Sequence, residues 1–214
     1  MKRAAFFDLD LTITDRDSFR LFLKHYYLRS RLHYLPYILT FAILRKLRFI
    51  SLQEFKERAL IGLRGKTEEE INTIGVTFFK NYLRETIRQS ARRRIKEHQM
   101  NGELIFIVSA SPNIYLEAIA RHLKCDGYIC SDLHYRKHRF SGTLSGVDCI
   151  GAEKKQRIEK LADTLKINLN KSSVYSDHEA DLQFLEAAGK PFVVSPTVKL
   201  HQIALTRNWS IEYW

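Results

Sequence analysis

Two aspartates one residue apart, Asp8 and Asp10, interrupt the apolar stretch FFDLDLTIT near the start of the chain. In an extended segment, residues i and i+2 point to the same side. Carboxylates held that close repel and raise each other's pKa unless a cation lies between them. An Asp-rich turn, with Asp10 and Thr12 as turn or cap residues, accounts for the same residues without chemistry. Further reactive or anion-binding types stand at three later points. They are Ser109 and Ser111 in IVSAS, Lys154 in CIGAEKK, and Asp177 with Asp181 in YSDHEAD. A set of oxygen donors with no His or Cys partner suits Mg²⁺, which keeps waters and contacts substrate phosphate. His178 reads as an exposed loop residue and Cys149 as a packing residue.

These residues fall where strands should end. Four segments read as buried strands: Ala4–Phe7, Leu104–Val108, Ser173–Tyr175 and Phe192–Val194. Between the later ones the apolar spacing is helical. Ser111-Pro112 has the form of a helix start, followed by Ile114, Ala118, Ile119 and Leu123. A second helix is predicted over Glu153–Lys166, and a shorter one from Asp181 to Ala188 that stops at Gly189. Strands alternating with helices imply an α/β domain with a parallel sheet covered on both faces. Ligands of such sheets bind beyond the carboxyl ends of the strands, which is where Asp8, Asp10, Ser109 and Asp177 stand. Ser111, before a helix N-terminus, would suit an anion.

Residues 16–98 read differently, as an inserted all-helical cap between two parts of a core, 1–15 and 99–214. Phe19, Phe22, Leu23 and Tyr26 keep helical spacing, and Ser51–Glu54 and Thr67–Glu70 both have the capping-box form. An insert at that point lies over the strand ends like a lid. Residues 131–146 turn polar and Gly-containing, as a β-hairpin would.

Composition narrows the class. With 45% hydrophobic and 12% aromatic residues, there is ample material for a core. The three cysteines are too few and too irregular for a disulfide framework or a zinc site, which points to a reducing, cytoplasmic compartment. Four uncharged residues before Asp8 do not make a signal peptide. The net charge of +11 favours anionic partners, although the dense runs Arg88–Lys96 and Arg136–Arg139 read as solvated faces.

The motifs taken together resemble the haloacid dehalogenase superfamily, on its phosphatase branch near the phosphoserine phosphatases. Asp8, Asp10 and Thr12 match D-x-D-x-T, Ser109 the Ser/Thr motif, Lys154 the Lys motif, and Asp177 and Asp181 the D-x-x-x-D motif. The resemblance covers essentially the whole chain and implies a Rossmann-like core with a helical cap. It departs at Leu11, where most members have Gly, Ser or Asn. It implies that Asp8 attacks phosphorus, that Asp10 is the acid and base, and that Mg²⁺ is held by Asp8, the Asp10 carbonyl and Asp177. Ser109 and Lys154 would bind phosphoryl oxygens, and Asp181 would orient Lys154 or metal-bound water.

The expected substrate is a small phosphomonoester such as phosphoserine, or a lipid head-group phosphate. The family's serine clamp maps onto Asp17 and Arg58, which helix capping and a solvated face explain equally. Residues 35–44 (LPYILTFAIL), flanked by basic residues, are too short to span a bilayer. They either rest on an anionic membrane surface, at the inner face of the membrane, or pack inside the cap. A phosphotransferase and a metal-free dehalogenase are the alternatives on the same scaffold. A nucleic-acid or membrane-binding module with a relict site is the alternative of another class. No specific nucleic-acid partner is expected.

Overall fold

The computed structural model describes residues 1–214, the side chain of Ser30 excepted. Strand β1 (Ala4–Phe7) leads through helices α1 (Ser18–Ser30), α2 (Leu35–Lys46), α3 (Leu52–Ala59), α4 (Glu68–Phe78) and α5 (Gln89–Met100) to β2 (Leu104–Pro112). Then come α6 (Leu116–Leu123), β3 (Gly127–Ser131), the hairpin β4 (Leu133–Arg136) and β5 (Arg139–Leu144), and α7 (Ala152–Leu165). The chain closes with β6 (Ser173–Ser176), α8 (Leu182–Leu185), β7 (Lys190–Val194), α9 (Val198–Thr206) and β8 (Ser210–Glu212). Six strands form one parallel sheet in the order β3-β2-β1-β6-β7-β8. The expected α/β architecture is the observed one.

The centre of the sheet explains its sequence. β1 lies between β2 and β6, so all four of its residues are buried and none can be polar. Ala5 and Phe7 belong to the apolar cluster that includes Ala91 and Ile95 of α5 and Ile119 of α6. Ala4 and Phe6 belong to the opposite cluster, with Ile158 of α7, Phe184 of α8 and Leu200 of α9. On the first face Phe7, Tyr175 and Phe192 stack across three adjacent strands at 4.4 and 4.7 Å between ring centroids.

After β1 the chain builds to one side of it (β2, β3) and later to the other (β6, β7, β8). The reversal opens a crevice at the carboxyl ends of β1, β2 and β6. α1, α2 and α3 contribute the wall above that crevice, whereas α4 packs on α6, and α5 on β1 and β2.

Three local expectations are corrected. Ser111 and Pro112 do not start a helix; they end β2, where a register shift after Val108 lets Pro112 pair with Ser131. α6 begins at Leu116 with no side-chain cap, because the chain needs Asn113 to Tyr115 to turn out of the strand. The helix expected over 181–188 is a 3₁₀ turn, Glu179–Asp181, running into the short α8. Gly189 is not a left-handed stop: a Cβ there would lie 2.0 Å from the Asn170 carbonyl oxygen. The strands β3 and β8 were not legible. The hairpin and the full capping box at Thr67 and Glu70 appear as expected, whereas Ser51 caps Glu54 N one way only.

Candidate active site

β1 delivers Asp8 to the crevice with its backbone N–H bonded to Tyr175 O at 2.9 Å, the last rung toward β6. The chain then makes one wide turn, Leu9–Ile13, closed by Thr14 N donating to Leu9 O at 2.9 Å. Leu11 takes a left-handed backbone conformation, φ 62°, and its side chain is exposed at the surface. That conformation disfavours any residue with a Cβ, so Leu11 is held here at some cost. The turn carries Asp10 and Thr12 back toward the strand ends.

Lys154, in the first turn of α7, is buried with Nζ 2.5 Å from Asp8 Oδ1 and 2.6 Å from Asp181 Oδ2. Ser176 Oγ donates to the same Asp181 oxygen at 2.8 Å. Burial alone would depress the Lys154 pKa, but Asp181 and Asp8 outweigh it and hold the ammonium charged. Thr12 Oγ1 donates to Asp177 Oδ1 at 3.3 Å, tying the first turn to the loop after β6. Burial pushes the Asp8 carboxyl well above its ordinary value; Lys154 opposes this, and Asp181, Asp177 and Asp10 add to it. Burial likewise raises Asp177, to about 6. The site therefore concentrates more negative charge than Lys154 offsets, and Asp8 and Asp177 are the carboxylates that could hold a cation.

Asp10 faces the other way, toward the inserted helices. Its Oδ1 accepts from Ser18 N at 2.6 Å, at the start of α1, and its Oδ2 accepts from Ser111 Oγ at 2.8 Å and Ser109 Oγ at 3.5 Å. Ser109 Oγ in turn accepts from Ser111 N at 3.0 Å. Burial, and next the charge of Asp17, push the Asp10 carboxyl up against the pull of these bonds.

Asp10 and Ser111 form the floor of a cleft of ≈ 870 Å³ walled by α1, α2 and α3. Asp17 lines it, but its carboxylate caps α1 through Arg20 N at 2.8 Å and pairs with the Arg20 side chain. Arg58 does not line it: its guanidinium lies over the Phe41 ring and beside Glu54. The two are not brought together there.

Sequence reasoning missed Lys56, which does line the cleft. Its ammonium donates to Ala110 O at 2.6 Å and to both oxygens of buried Asp148 at 2.7 Å. Burial lowers its pKa against the pull of Asp148. A signal was available, because Lys56 shares the apolar side of α3 with Leu52 and Ala59, where a solvated lysine has no place. Asp148, its partner 92 residues away, had none.

The model of the haloacid dehalogenase-like hydrolase family matches residues 5–186, and the chain belongs to that family, on its phosphatase branch. A phosphoserine phosphatase of Mycobacterium tuberculosis is 26% identical over 215 residues, covering 98% of this chain and 70% of the relative. Among solved structures, a protein of unknown function from Bordetella pertussis superposes with a TM-score of 0.88 at 22% identity, covering 99% of this chain and 98% of that one. A phosphoserine phosphatase solved as a phospho-aspartyl intermediate analogue superposes at 0.65 with 16% identity, covering 99% and 93%. At those identities the structures speak for the fold. Among the described residues, no helix is long and apolar enough to cross a membrane.

Proposed function

We propose that this hydrolase cleaves a phosphomonoester with Mg²⁺ through a phosphoryl group carried transiently on Asp8. The observation that carries the reading is the pairing of Asp8 with Lys154 beside a second carboxylate, Asp10, held by the Ser18 amide and the Ser111 hydroxyl.

The donor chemistry fits the metal. Among the described residues no three His, Cys, Asp or Glu side chains form a ready-made cage. Mg²⁺ does not require one: one or two carboxylates, waters and substrate oxygens complete its shell. Asp8 and Asp177 would hold it together with the Asp10 backbone carbonyl. Bound there, it would neutralise charge between the carboxylates and the phosphoryl group.

The chain's own residues divide the rest of the work. Asp8 forms a bond to phosphorus as the bond to the leaving oxygen breaks, and Asp10 gives that oxygen its proton. Water then attacks the phosphoryl group, Asp10 takes a proton from it, and Asp8 leaves as carboxylate, so ester and water yield alcohol and phosphate. Burial keeps the Asp10 carboxyl raised, which suits a group that must be protonated for the first half. Lys154 and Ser109 neutralise and orient the phosphoryl oxygens, and Asp181 positions Lys154.

The test is hydrolysis of an aryl phosphate with Mg²⁺ by the intact protein and by Asp8→Asn. Turnover should be lost in the variant while the fold is kept. Near-normal turnover in Asp8→Asn would remove the covalent route.

A further inference from the structure

α2 has two faces with different surroundings. Ile38, Ala42 and Arg45 line the cleft. Around the helix from them, Leu39, Ile43 and Leu47 follow one another at the four-residue spacing that shares a face, and stand 60, 58 and 59% exposed. Phe49, just past the helix, is 76% exposed. Contiguous apolar surface of this kind marks an interaction site.

The charge around it selects the partner. From Ser18 to Gln53 the chain has seven lysines and arginines and no aspartate or glutamate. Arg45, Lys46 and Arg48 from this stretch rim the cleft beside the apolar row. A second copy seated on this face would set its lysines and arginines against the same residues of the first, which opposes association. A nucleic acid would meet the charge, but Leu39, Ile43 and Leu47 are aliphatic and leave bases Phe49 alone to stack on. An anionic bilayer satisfies both, taking leucine and isoleucine into its interface and pairing lysine and arginine with head groups. The cleft repeats the combination, with Phe19, Leu23, Ile38 and Phe55 above Asp10 and Ser111.

We infer that the outer face of α2 docks on an anionic lipid bilayer, and that the cleft takes a phosphomonoester whose alcohol carries an apolar chain. The second half rests on the phosphatase reading; the first does not.

The experiment is co-sedimentation of the full chain with vesicles of phosphatidylcholine alone or mixed with phosphatidylglycerol, at low and high salt. The protein should sediment with the anionic vesicles only, and less as salt rises. Leu39→Ser/Ile43→Ser/Phe49→Ser should lose binding by about tenfold or more while hydrolysing an aryl phosphate within about twofold of the parent. The single Ile43→Glu, an acid placed in the basic face, should lose binding likewise and serves if the triple variant does not fold. Dodecyl phosphate should exceed ethyl phosphate in kcat/KM by about tenfold or more. Normal aryl phosphate turnover without vesicle binding overturns the docking and leaves the phosphatase reading standing. Equal kcat/KM on the two alkyl phosphates overturns the substrate assignment. Vesicle binding with no phosphatase turnover at all overturns it as well, through the reading beneath it. A concentration-dependent dimer dissolved by the triple substitution gives the face to a second copy and overturns the bilayer.

Discussion

Lys56 Nζ, on helix α3, lies 2.7 Å from both carboxylate oxygens of Asp148, and the pair is buried between the inserted helices and the hairpin side of the core. Ser131 Oγ also donates to Asp148, so the carboxylate is shared by both parts of the molecule. Removing one partner leaves a buried charge uncompensated, an effect of roughly 3–5 kcal/mol. Asp148→Asn should lower the melting temperature by about 6–20 °C, at 2–4 °C per kcal/mol for a chain of this size. Lys56→Met with Asp148→Leu should be less damaging than either change alone. Thermal denaturation decides, and singles within about 2 °C of the parent would mean the pair is not desolvated.

Asp10→Asn keeps the shape of the side chain and removes its proton. Turnover should fall by about 10²-fold or more. The loss should be larger for an alkyl phosphate than for an aryl phosphate, whose leaving oxygen needs no acid. Since Asp10 acts first as an acid, its ionisation sets an alkaline limb in the pH profile of kcat/KM, and that limb should vanish in the variant. An identical limb in Asp10→Asn would assign the acid elsewhere.

Asp177 links metal to stability. Its carboxyl is raised to about 6 in the folded chain from an ordinary 3.8, with burial the first cause. A group raised in this sense contributes stability that is full below its unfolded pKa and lost as pH rises through the folded one. In EDTA at pH 7.5, Asp177→Asn should therefore melt above the parent, and the gap should narrow as pH falls through about 6. Mg²⁺ should raise the melting temperature of the parent and not of the variant. EDTA should also abolish turnover, with Mg²⁺ restoring it and Ca²⁺ doing so poorly. A parent that gains nothing from Mg²⁺ would dismiss Asp177 as a ligand.

Gly75 of α4 sits against the chain after β2 so closely that a Cβ would lie 1.7 Å from the Ile114 carbonyl oxygen. Backbone meets backbone here, so nothing can rotate away. Gly75→Ala should destabilise by about 1–3 kcal/mol, near the upper end, despite the better helix propensity of alanine. Urea unfolding would show it; a more stable variant would mean that α4 can shift outward at no expense.

The sheet's inner strands were legible because β1 and β2 hold apolar runs and β6 and β7 carry Val174-Tyr175 and Phe192-Val193-Val194. Asp8, Ser109 and Asp177 were legible because each follows such residues; Lys154, in the first turn of α7, was legible from its motif alone. β3 was not, since its short apolar stretch Tyr128-Ile129-Cys130 lies at the sheet edge between Gly127 and Ser131, and only Cys130 of the three is fully buried. β8 is three residues long on the opposite edge. Ser111-Pro112 misled because a capping serine before proline looks the same whether a helix or a bulged strand end follows. Lys56 and Asp148 were invisible as a pair because 92 residues separate them and neither belongs to the motif set.

Gly75 fixes more than stability. α4 is pinned to the core by that contact, and α3 by Lys56 and by Gln53 and Glu57, which hold Gly146 O and Leu144 N at 3.0 Å. α2, by contrast, packs on α3 and the short turn before it. The inserted helices are thus an unequal pair of leaves, one riveted and one free. A substrate cannot be admitted by the whole insert swinging away, because that would break a buried ion pair and a backbone-to-backbone contact together. On that footing the way in should run past α2, and the rate at which products leave should follow the mobility of that helix.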